Sequence, residues 1–527
     1  MKFTIFFNAL VILICISCDN QNRVQDTDQG ISLTTHQRVS PVLIGKSENP
    51  VLRIAVEADS SGQPQTVSRI SVNTKGTTNT GDIKEVSLFY TGADSSFNAG
   101  RAFGEPQQTG VTLQFSDEQP LQPGTNYYWV SYTLNSGNDL LNRVDAGLDA
   151  IMLADGSQVR PANDSPEGVK RIGIALRQPG DDEVASYRIP GLVTTNEGTL
   201  IAAYDIRYED AGDLQGNIDV GISRSTDGGR SWEPMQVIMD MDEWGGLSED
   251  QNGVGDPSIL VDDQTGTIWV AGLWTHGMPG QRAWNASSAG LEPSETGQFV
   301  LVKSEDDGKT WSDPINITEQ IKNREWQLLL QGPGKGITMS NGTLVFPAQF
   351  KDENNIPHST IVYSKDHGES WDIGTGAKPN TTEAQVVELS DGSLMLNMRD
   401  NRGGSRSVYT TDDLGQTWDK HPTSRDALIE PISQASIIQF PASEGATDEW
   451  LLFSNPHNTE DRRDMTIQLS TDDGMSWPED QQILLNEKPG FGYSCMTVVN
   501  DSTVGILYEG TSELFFQKVL ISDLLNE

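Results

Sequence analysis

The sequence predicts an all-β chain, a six-bladed β-propeller preceded by a small antiparallel β-sandwich. Three observations carry that expectation. An eight-residue pattern, Ser/Thr-x-Asp-x-Gly-x-Ser/Thr-Trp, occurs five times, at Ser225 to Trp232, Ser304 to Trp311, Ser364 to Trp371, Thr411 to Trp418 and Ser470 to Trp477. Its aspartates, Asp227, Asp306, Asp366, Asp413 and Asp472, are 79, 60, 47 and 59 residues apart. Spacing of about sixty residues, filled with short strands and tight turns, is that of a propeller blade, and Arg171 to Glu527 has room for about six. The third observation is a change of pattern upstream. Between about Ile31 and residue 165, short alternating runs such as Leu52 to Ala58, Val86 to Tyr90 and Tyr127 to Tyr132 are separated by Ser61-Gly62 and Pro123-Gly124-Thr125-Asn126. Alternation with turn-forming breaks reads as antiparallel strands of a sandwich.

The repeated octapeptide has a mechanical reading. Asp accepts hydrogen bonds from turn N–H groups, Gly permits a positive φ, Ser or Thr adds a local bond, and Trp fills the gap between adjacent strands. It therefore indicates architecture rather than chemistry.

At 527 residues the chain is long enough for at least two cores. It carries 36 Lys and Arg against 75 Asp and Glu, a net charge of -39, with the acids dispersed among Gly, Ser, Thr and Asn. That balance predicts a solvated surface and excludes nucleic acid as the expected partner.

Met1-Lys2 followed by the apolar run Phe3 to Ile16 has the size of an export signal and is too short for a spanning helix. Ser17 directly before Cys18 resembles a bacterial lipoprotein cleavage box, so residues 1–18 are expected to be a signal with Cys18 as the lipidated residue. Cys15 stands where that box usually has Leu, which leaves ordinary signal cleavage open. Residues 19–30 are polar, without apolar period, and read as a tether. Cys495 is then the one remaining thiol, so no disulfide framework is expected, and six scattered His do not suggest a zinc site. Calcium in an Asp-rich loop stays open.

In the leading domain, Phe89, Tyr90, Tyr127, Tyr128 and Trp129 form either a sugar-stacking platform or core. Residues Pro161 to Val169, with two prolines and a glycine, mark a boundary, after which residues 170–527 form the repeat domain.

Outside the repeats, a set of short motifs follows in order. Tyr187-Arg188-Ile189-Pro190 comes first, then Arg207 and Asp213, Gly255-Asp256-Pro257-Ser258, Glu383-Ala384-Gln385 and Met398-Arg399-Asp400. Arg462 follows, between Ser454-Asn455-Pro456 and Met465-Thr466, and Gly492-Tyr493-Ser494-Cys495 closes the set. In order and spacing these resemble bacterial sialidases, exo-α-sialidases with a six-bladed propeller, across essentially all of Arg171 to Glu527. The leading domain resembles the sandwich that precedes the propeller in a subset of them.

The resemblance implies an enzyme that removes terminal sialic acid from oligosaccharides, glycoproteins and glycolipids without metal or organic cofactor. Sialic acid carries a carboxylate on its anomeric carbon, and arginine forks bind carboxylate bidentately without losing charge. By resemblance Arg188, Arg399 and Arg462 are that triad; the Arg-x-x-Met-Thr spacing favours Arg462 over Arg463. Tyr493 is the implied nucleophile, since a neutral hydroxyl avoids the repulsion a carboxylate would meet, and sialidases are exceptions to the two-carboxylate scheme. Glu383 is its implied base, and Asp213 the acid that protonates the leaving oxygen and later deprotonates water. Arg207 and Asp256 are expected to contact ring substituents or orient neighbours, and Asp400 to orient Arg399. Cys495 is expected to pack beside the site. Trp274, Met278 and Trp284, in the longest interval between repeats, are candidate walls for the aglycone or N-acetyl side.

Two relatives of this chemistry share the same arginines, Tyr and Glu: transfer to a sugar hydroxyl and intramolecular closure. A glycan-binding propeller without turnover would be expected to lack Tyr493, Glu383 or Asp213, and a purely structural one to lack the arginines; none of these is missing.

Overall fold

The structure, a computed structural model, describes residues 30–59, 64–110, 112–163, 166, 168–278, 280–441 and 450–525. The expected signal, Cys18 and nearly all of the tether lie outside the described residues.

The leading region forms two four-stranded antiparallel sheets. One runs in the order Ile31–His36, Asn49–Ala58, Gly124–Leu134, Ile83–Gly92; the other Gln158–Val159, Gly147–Leu153, Thr66–Asn73, Thr112–Pro120. Alternation explains their packing: Leu52, Ile54 and Val56 are fully buried while Arg53 and Ala55 point the other way.

The aromatics of this region are not an exposed platform. Tyr128 faces inward against Tyr90 and Phe103, at centroid separations of 4.9 and 5.4 Å. Trp129, on the other face, is covered by Phe97 and the Arg53 guanidinium, which also lies over Tyr127. Phe89 packs on Phe97. Four of the five are buried, Tyr90 and Tyr128 in the core and Phe89 and Trp129 under Phe97 and Arg53 on the other face.

Two pieces of the leading region leave it. Val42–Ile44 pairs parallel with Lys170–Arg177, and Arg143–Val144 pairs with the same strand antiparallel. One apolar cluster accordingly runs from Ile31 and Val72 through Ile172 and Tyr187 to Phe516. The two regions therefore share a core rather than hanging from a linker.

Among the described residues six sheets of four to six strands follow, beside the two-stranded pair Gly404–Ser405 and Ile429–Glu430. Their first strands are Ser186–Thr194, Val254–Val261, Leu328–Gln331 with Ile337–Thr338, Thr381–Glu388, Ser436–Phe440 and Ser494–Asn500. Each sheet then steps outward by antiparallel hairpins, as in Ser186–Thr194, Leu200–Arg207, Ile218–Ser225, Gln236–Met239. The last sheet takes its outer strand from the opposite end of the region: Lys170–Arg177 pairs with Leu514–Leu520. Successive sheets touch through these strands, the third meeting the fourth through its second strand Leu344–Lys351, and Ser494–Asn500 comes back against Ser186–Thr194.

The repeated octapeptides are the turns after the third strands. Asp227 accepts from Ser225 Oγ (2.9 Å), Ser231 N–H (3.0 Å) and Ser231 Oγ (2.6 Å), and the pattern recurs at Asp306, Asp366, Asp413 and Asp472. These turns also join sheets. A Cβ at Gly229 would stand 2.3 Å from Phe516 Cε1, in the last sheet, and one at Gly368 would stand 2.3 Å from Trp269 Cζ2, in the preceding sheet. Trp232 packs on Phe516 and Trp371 on Trp269 at the same places. The last sheet has no octapeptide; its third strand leads into the helix Ile521–Leu525, which buries Ile521 and Leu524 and contacts the fifth sheet.

Candidate active site

Three of the expected site residues owe their placement to one local device. The ladder slips by a bulge between Arg188 and Gly191, between Gly255 and Ser258, and between Thr381 and Ala384. Those bulges carry Arg188, Asp256 and Glu383. In the first two, a residue at positive φ, Ile189 (60°) or Asp256 (57°), is followed by a proline, which has no N–H to give the ladder. A bulge re-aims a side chain that would otherwise alternate regularly. Arg399 is at the end of Leu394–Asp400, Arg462 in the turn before Met465–Ser470, and Tyr493 immediately before Ser494–Asn500.

Arg188, Asp213, Asp256, Glu383, Arg399, Arg462 and Tyr493 line a single cavity of about 630 Å³. On its floor the Tyr493 hydroxyl donates to Glu383 Oε1 at 2.5 Å, and Arg399 Nη1 donates to Glu383 Oε2 (2.5 Å) and to the Tyr493 oxygen (3.1 Å). Arg399 Nε is buried without a partner. Arg462 donates to backbone carbonyls, Phe491 O at 3.0 Å and Ile432 O at 2.8 Å, and among the described residues no carboxylate pairs with it. Its neighbour Arg463 pairs instead with Asp464. The guanidiniums of Arg188 and Arg462 lie 5.6 and 5.5 Å from the Tyr493 ring centroid. Burial pushes the Tyr493 hydroxyl well above its ordinary pKa, and the charge of Glu383 adds to this against the pull of Arg399, Arg462 and Arg188. Burial and Glu383 thus both favour the neutral phenol.

Elsewhere on the lining Asp213 is held by arginines. Its Oδ1 accepts from Arg207 Nη1 (2.9 Å) and Arg188 Nη1 (3.3 Å), and its Oδ2 from Arg282 Nη1 (2.7 Å). Burial alone would raise this carboxyl, but Arg207, Arg188 and Arg282 outweigh it and hold it below the usual range. Arg207 does not line the cavity. It lies buried beneath, forked onto Asp205 at 2.8 and 3.1 Å and bonded to the carbonyls of Ala211 and Gly212, which fixes the loop carrying Asp213. Asp256 lines the wall beside it, its N–H donating to Asp205 Oδ1 at 2.8 Å. Burial, then the charges of Asp205 and Asp213, raise the Asp256 carboxyl well above the ordinary range.

Several expectations do not survive. Asp400 does not orient Arg399: successive residues of a strand face opposite sides, and Asp400 turns away to bind Arg402 and Ser407. Trp274 is buried, edge-on to Trp244, and neither it nor Met278 lines the cavity; of that trio only Trp284 does. Cys495 is fully buried, and Leu192 N–H donates to its Sγ at 3.2 Å, which is packing as expected.

Sequence reading missed Glu509. One of its oxygens accepts from Arg188 Nε (3.1 Å) and Ile189 N–H (2.9 Å), the other from Tyr493 N–H (3.0 Å), so it ties the cation to the backbone of the tyrosine. A carboxylate ending the apolar run Val504 to Tyr508 was the available signal, as was Asp205 two residues from Arg207 on one face of an apolar strand. Arg282, Phe491 and Gln349 gave none. Among the described residues one acidic trio, Asp219, Asp240 and Glu249, has carboxylate oxygens within 4.8 Å of one another; it does not line the cavity, and Tyr208 already donates to Asp219.

Comparison with known proteins identifies the family. Residues 198–506 match the BNR repeat-like domain, and residues 30–157 the N-terminal domain of BNR-repeat neuraminidase. The chain is 44% identical over 514 residues to a sialidase of Bacteroides fragilis, covering 92% of this chain and 94% of that one. It is 33% identical to a sialidase of Paraclostridium sordellii, over 63% of this chain and 83% of the other. Among solved structures, Hadza microbial sialidase Hz136 superimposes with a TM-score of 0.87 at 44% identity, covering 92% and 99% of the two chains. An arginine-lined cavity on an all-β scaffold, matched nearly end to end by sialidases, places the chain in the BNR-repeat neuraminidase family, the sialidases among the glycoside hydrolases.

Proposed function

We propose that this protein is an exo-α-sialidase that hydrolyses terminal α-ketosidically linked sialic acid with retention of configuration, using Tyr493 as nucleophile. The observation that carries the reading is the contact of Tyr493 with Glu383 inside a cavity that also presents Arg188, Arg399 and Arg462. The three arginines take the substrate carboxylate, Arg462 supplying the least compensated charge. Glu383 removes the phenolic proton as the oxygen attacks the anomeric carbon, and Asp213 protonates the departing oxygen. Water then enters on the same face, deprotonated by Asp213, and the phenol leaves with the proton from Glu383. The local field of the arginines outweighs the net charge of -39 at the pocket. Every step uses the chain's own side chains.

The same reading takes the six sheets as six blades closed by Lys170–Arg177, with residues 31–165 as the accompanying sandwich and residues 170–527 as the catalytic domain. Sialylated oligosaccharides, glycoproteins and glycolipids are the substrates. An exported, membrane-anchored lipoprotein remains the reading of residues 1–18, tested by palmitate-analogue labelling of the wild type and of Cys18→Ala, which should take up none.

The decisive experiment follows α-sialyllactose by proton NMR from the earliest times. Release of the α-anomer before mutarotation is expected. Early β-anomer would remove the retaining mechanism, an anhydro or transferred product would reassign the reaction, and binding without release would make the protein a lectin.

A further inference from the structure

Both oxygens of Asp213 are occupied, and one of the occupants is exposed. Arg207 and Arg188, on Oδ1, have side chains 1% and 7% exposed; Arg282, on Oδ2, is 65% exposed. Arg282 stands on the cavity rim at the start of the short helix Ala283–Ala286, with Trp284 and Asn285 beside it on the lining. Its placement is built into the backbone. The Gln215 amide donates to Thr275 O (2.9 Å) and Gly277 O (2.7 Å), and Ala283 N–H donates to Leu214 O (2.7 Å), lacing the Arg282 segment to the Asp213 loop.

We propose that Arg282 is a positioning residue for Asp213, a latch on the rim that holds the carboxylate in the empty site and releases it when an aglycone arrives. The inference rests on the assignment of Asp213 as the acid. To act, Asp213 must carry a proton on an oxygen facing the glycosidic bond. As C2–O breaks and the Tyr493 oxygen bonds to C2, that proton passes to the leaving oxygen and the Tyr493 proton to Glu383. Oδ1 is already the acceptor for two buried guanidiniums, so the proton belongs on Oδ2, and Oδ2 is where Arg282 donates. A donor and an acidic proton compete for one oxygen. Arg282 is the arginine free to swing, since Arg207 is packed beneath the wall and Arg188, on the lining, is held by buried Glu509. The aglycone would leave the cavity along this rim, so its arrival displaces the guanidinium and frees Oδ2.

The charged groups facing Asp213 are Arg188 and Arg207 from the first sheet, Arg282 from the rim, and Asp256 from the second sheet. Removing Arg282 removes one of three cations that favour the ionised form, so the free acid holds its proton to higher pH.

The test is the pH profile of kcat/KM for wild type, Arg282→Gln and Arg282→Lys, with sialyllactose and with a 4-nitrophenyl sialoside. In Arg282→Gln the alkaline limb for sialyllactose should move up by about half to one pH unit, making the variant about three- to tenfold faster than wild type beyond the limb. The aryl sialoside, whose leaving group needs little protonation, should change less than twofold, and Arg282→Lys should keep the wild-type limb. An unmoved limb, or equal changes on both substrates, overturns the latch while leaving the hydrolase reading intact. A wild-type protein that cleaves neither substrate overturns both. Arg282 is exposed, so matching unfolding temperatures are expected and serve as the folding control.

Discussion

Tyr493 and Glu383 lie 110 positions apart in the chain and meet through a 2.5 Å hydrogen bond, with Arg399 held against both. A phenol whose ionisation is opposed by burial and by the adjacent carboxylate is a poor nucleophile unless that same carboxylate accepts its proton. Glu383→Gln should therefore lower kcat about 10²–10⁴-fold, the range for loss of a general base. Tyr493→Phe, which removes the oxygen proposed to attack, should lose at least as much. Measured with substrate binding by calorimetry, both variants should still bind sialic acid, because the three arginines remain.

Glu509 links Arg188 to the Tyr493 backbone from a fully buried position, with side chains 1% and 7% exposed. Removing one partner of a buried pair leaves an uncompensated charge and costs about 3–5 kcal/mol. Glu509→Ala should lower the unfolding temperature and raise KM through a misplaced Arg188. Glu509→Gln, which keeps an acceptor for the N–H groups, should recover part of the stability and less of the binding. Equal recovery of both would mean that Glu509 acts only as a hydrogen-bond acceptor.

What the sequence disclosed depended on how local the physics was. The octapeptide turns are local: Ser225, Asp227, Gly229 and Ser231 bond one another, so the pattern and the structure are nearly the same object. The motifs around Arg188, Asp256 and Glu383 are short because each is a single bulge in a first strand. Contacts made across sheets left weaker traces. Glu509 reaches Arg188 over 321 positions, and nothing in its neighbourhood specifies that partner. Trp274 reads differently in the sequence because a tryptophan at the end of Ile268–Trp274 can face the cavity or away from it, and distant loop residues decide; here Trp244 and His276 cover it. Trp129 and Tyr128 illustrate the same limit, since alternation separates their faces without saying that Arg53 and Phe97 cover the outer one.

Asp219 supplies a pH-dependent term in stability. Burial, followed by the charge of Asp240, pushes its carboxyl up to about 7, against the hydrogen bond from Tyr208. The unfolded chain loses this proton near 3.8, the ordinary value, while the folded chain keeps it to about 7. Between those values the folded state binds the extra proton, so this contribution falls as pH rises through the window and is fully lost above it. Asp219→Asn mimics the protonated form. Urea unfolding should show wild type and variant nearly equal at pH 4, with the variant gaining across the window at up to about 1.4 kcal/mol per pH unit. A difference that does not change with pH would assign the effect to packing instead.

Gly229 tests whether the repeated turns hold neighbouring sheets together or only shape their own. Its φ is 85°, which strains any other residue, and an added Cβ would lie 2.3 Å from Phe516 Cε1 and 2.7 Å from Cζ. Phe516 is fully buried and carries Trp232 on its face, so it has nowhere to retreat. Overpacking of this kind costs about 1–3 kcal/mol, and the left-handed backbone adds about 1–2. Gly229→Ala should therefore lower the unfolding temperature by several degrees. The companion Gly228→Ala has the strained φ of 69° and open space around it, so it should pay the backbone cost alone. The excess of the first over the second measures the contact between the first and last sheets, and pairing Gly229→Ala with Phe516→Leu should return most of it. If the two alanine variants unfold together, the turn acts only within its own hairpin and the closing of the ring rests on Lys170–Arg177 and its partner strand.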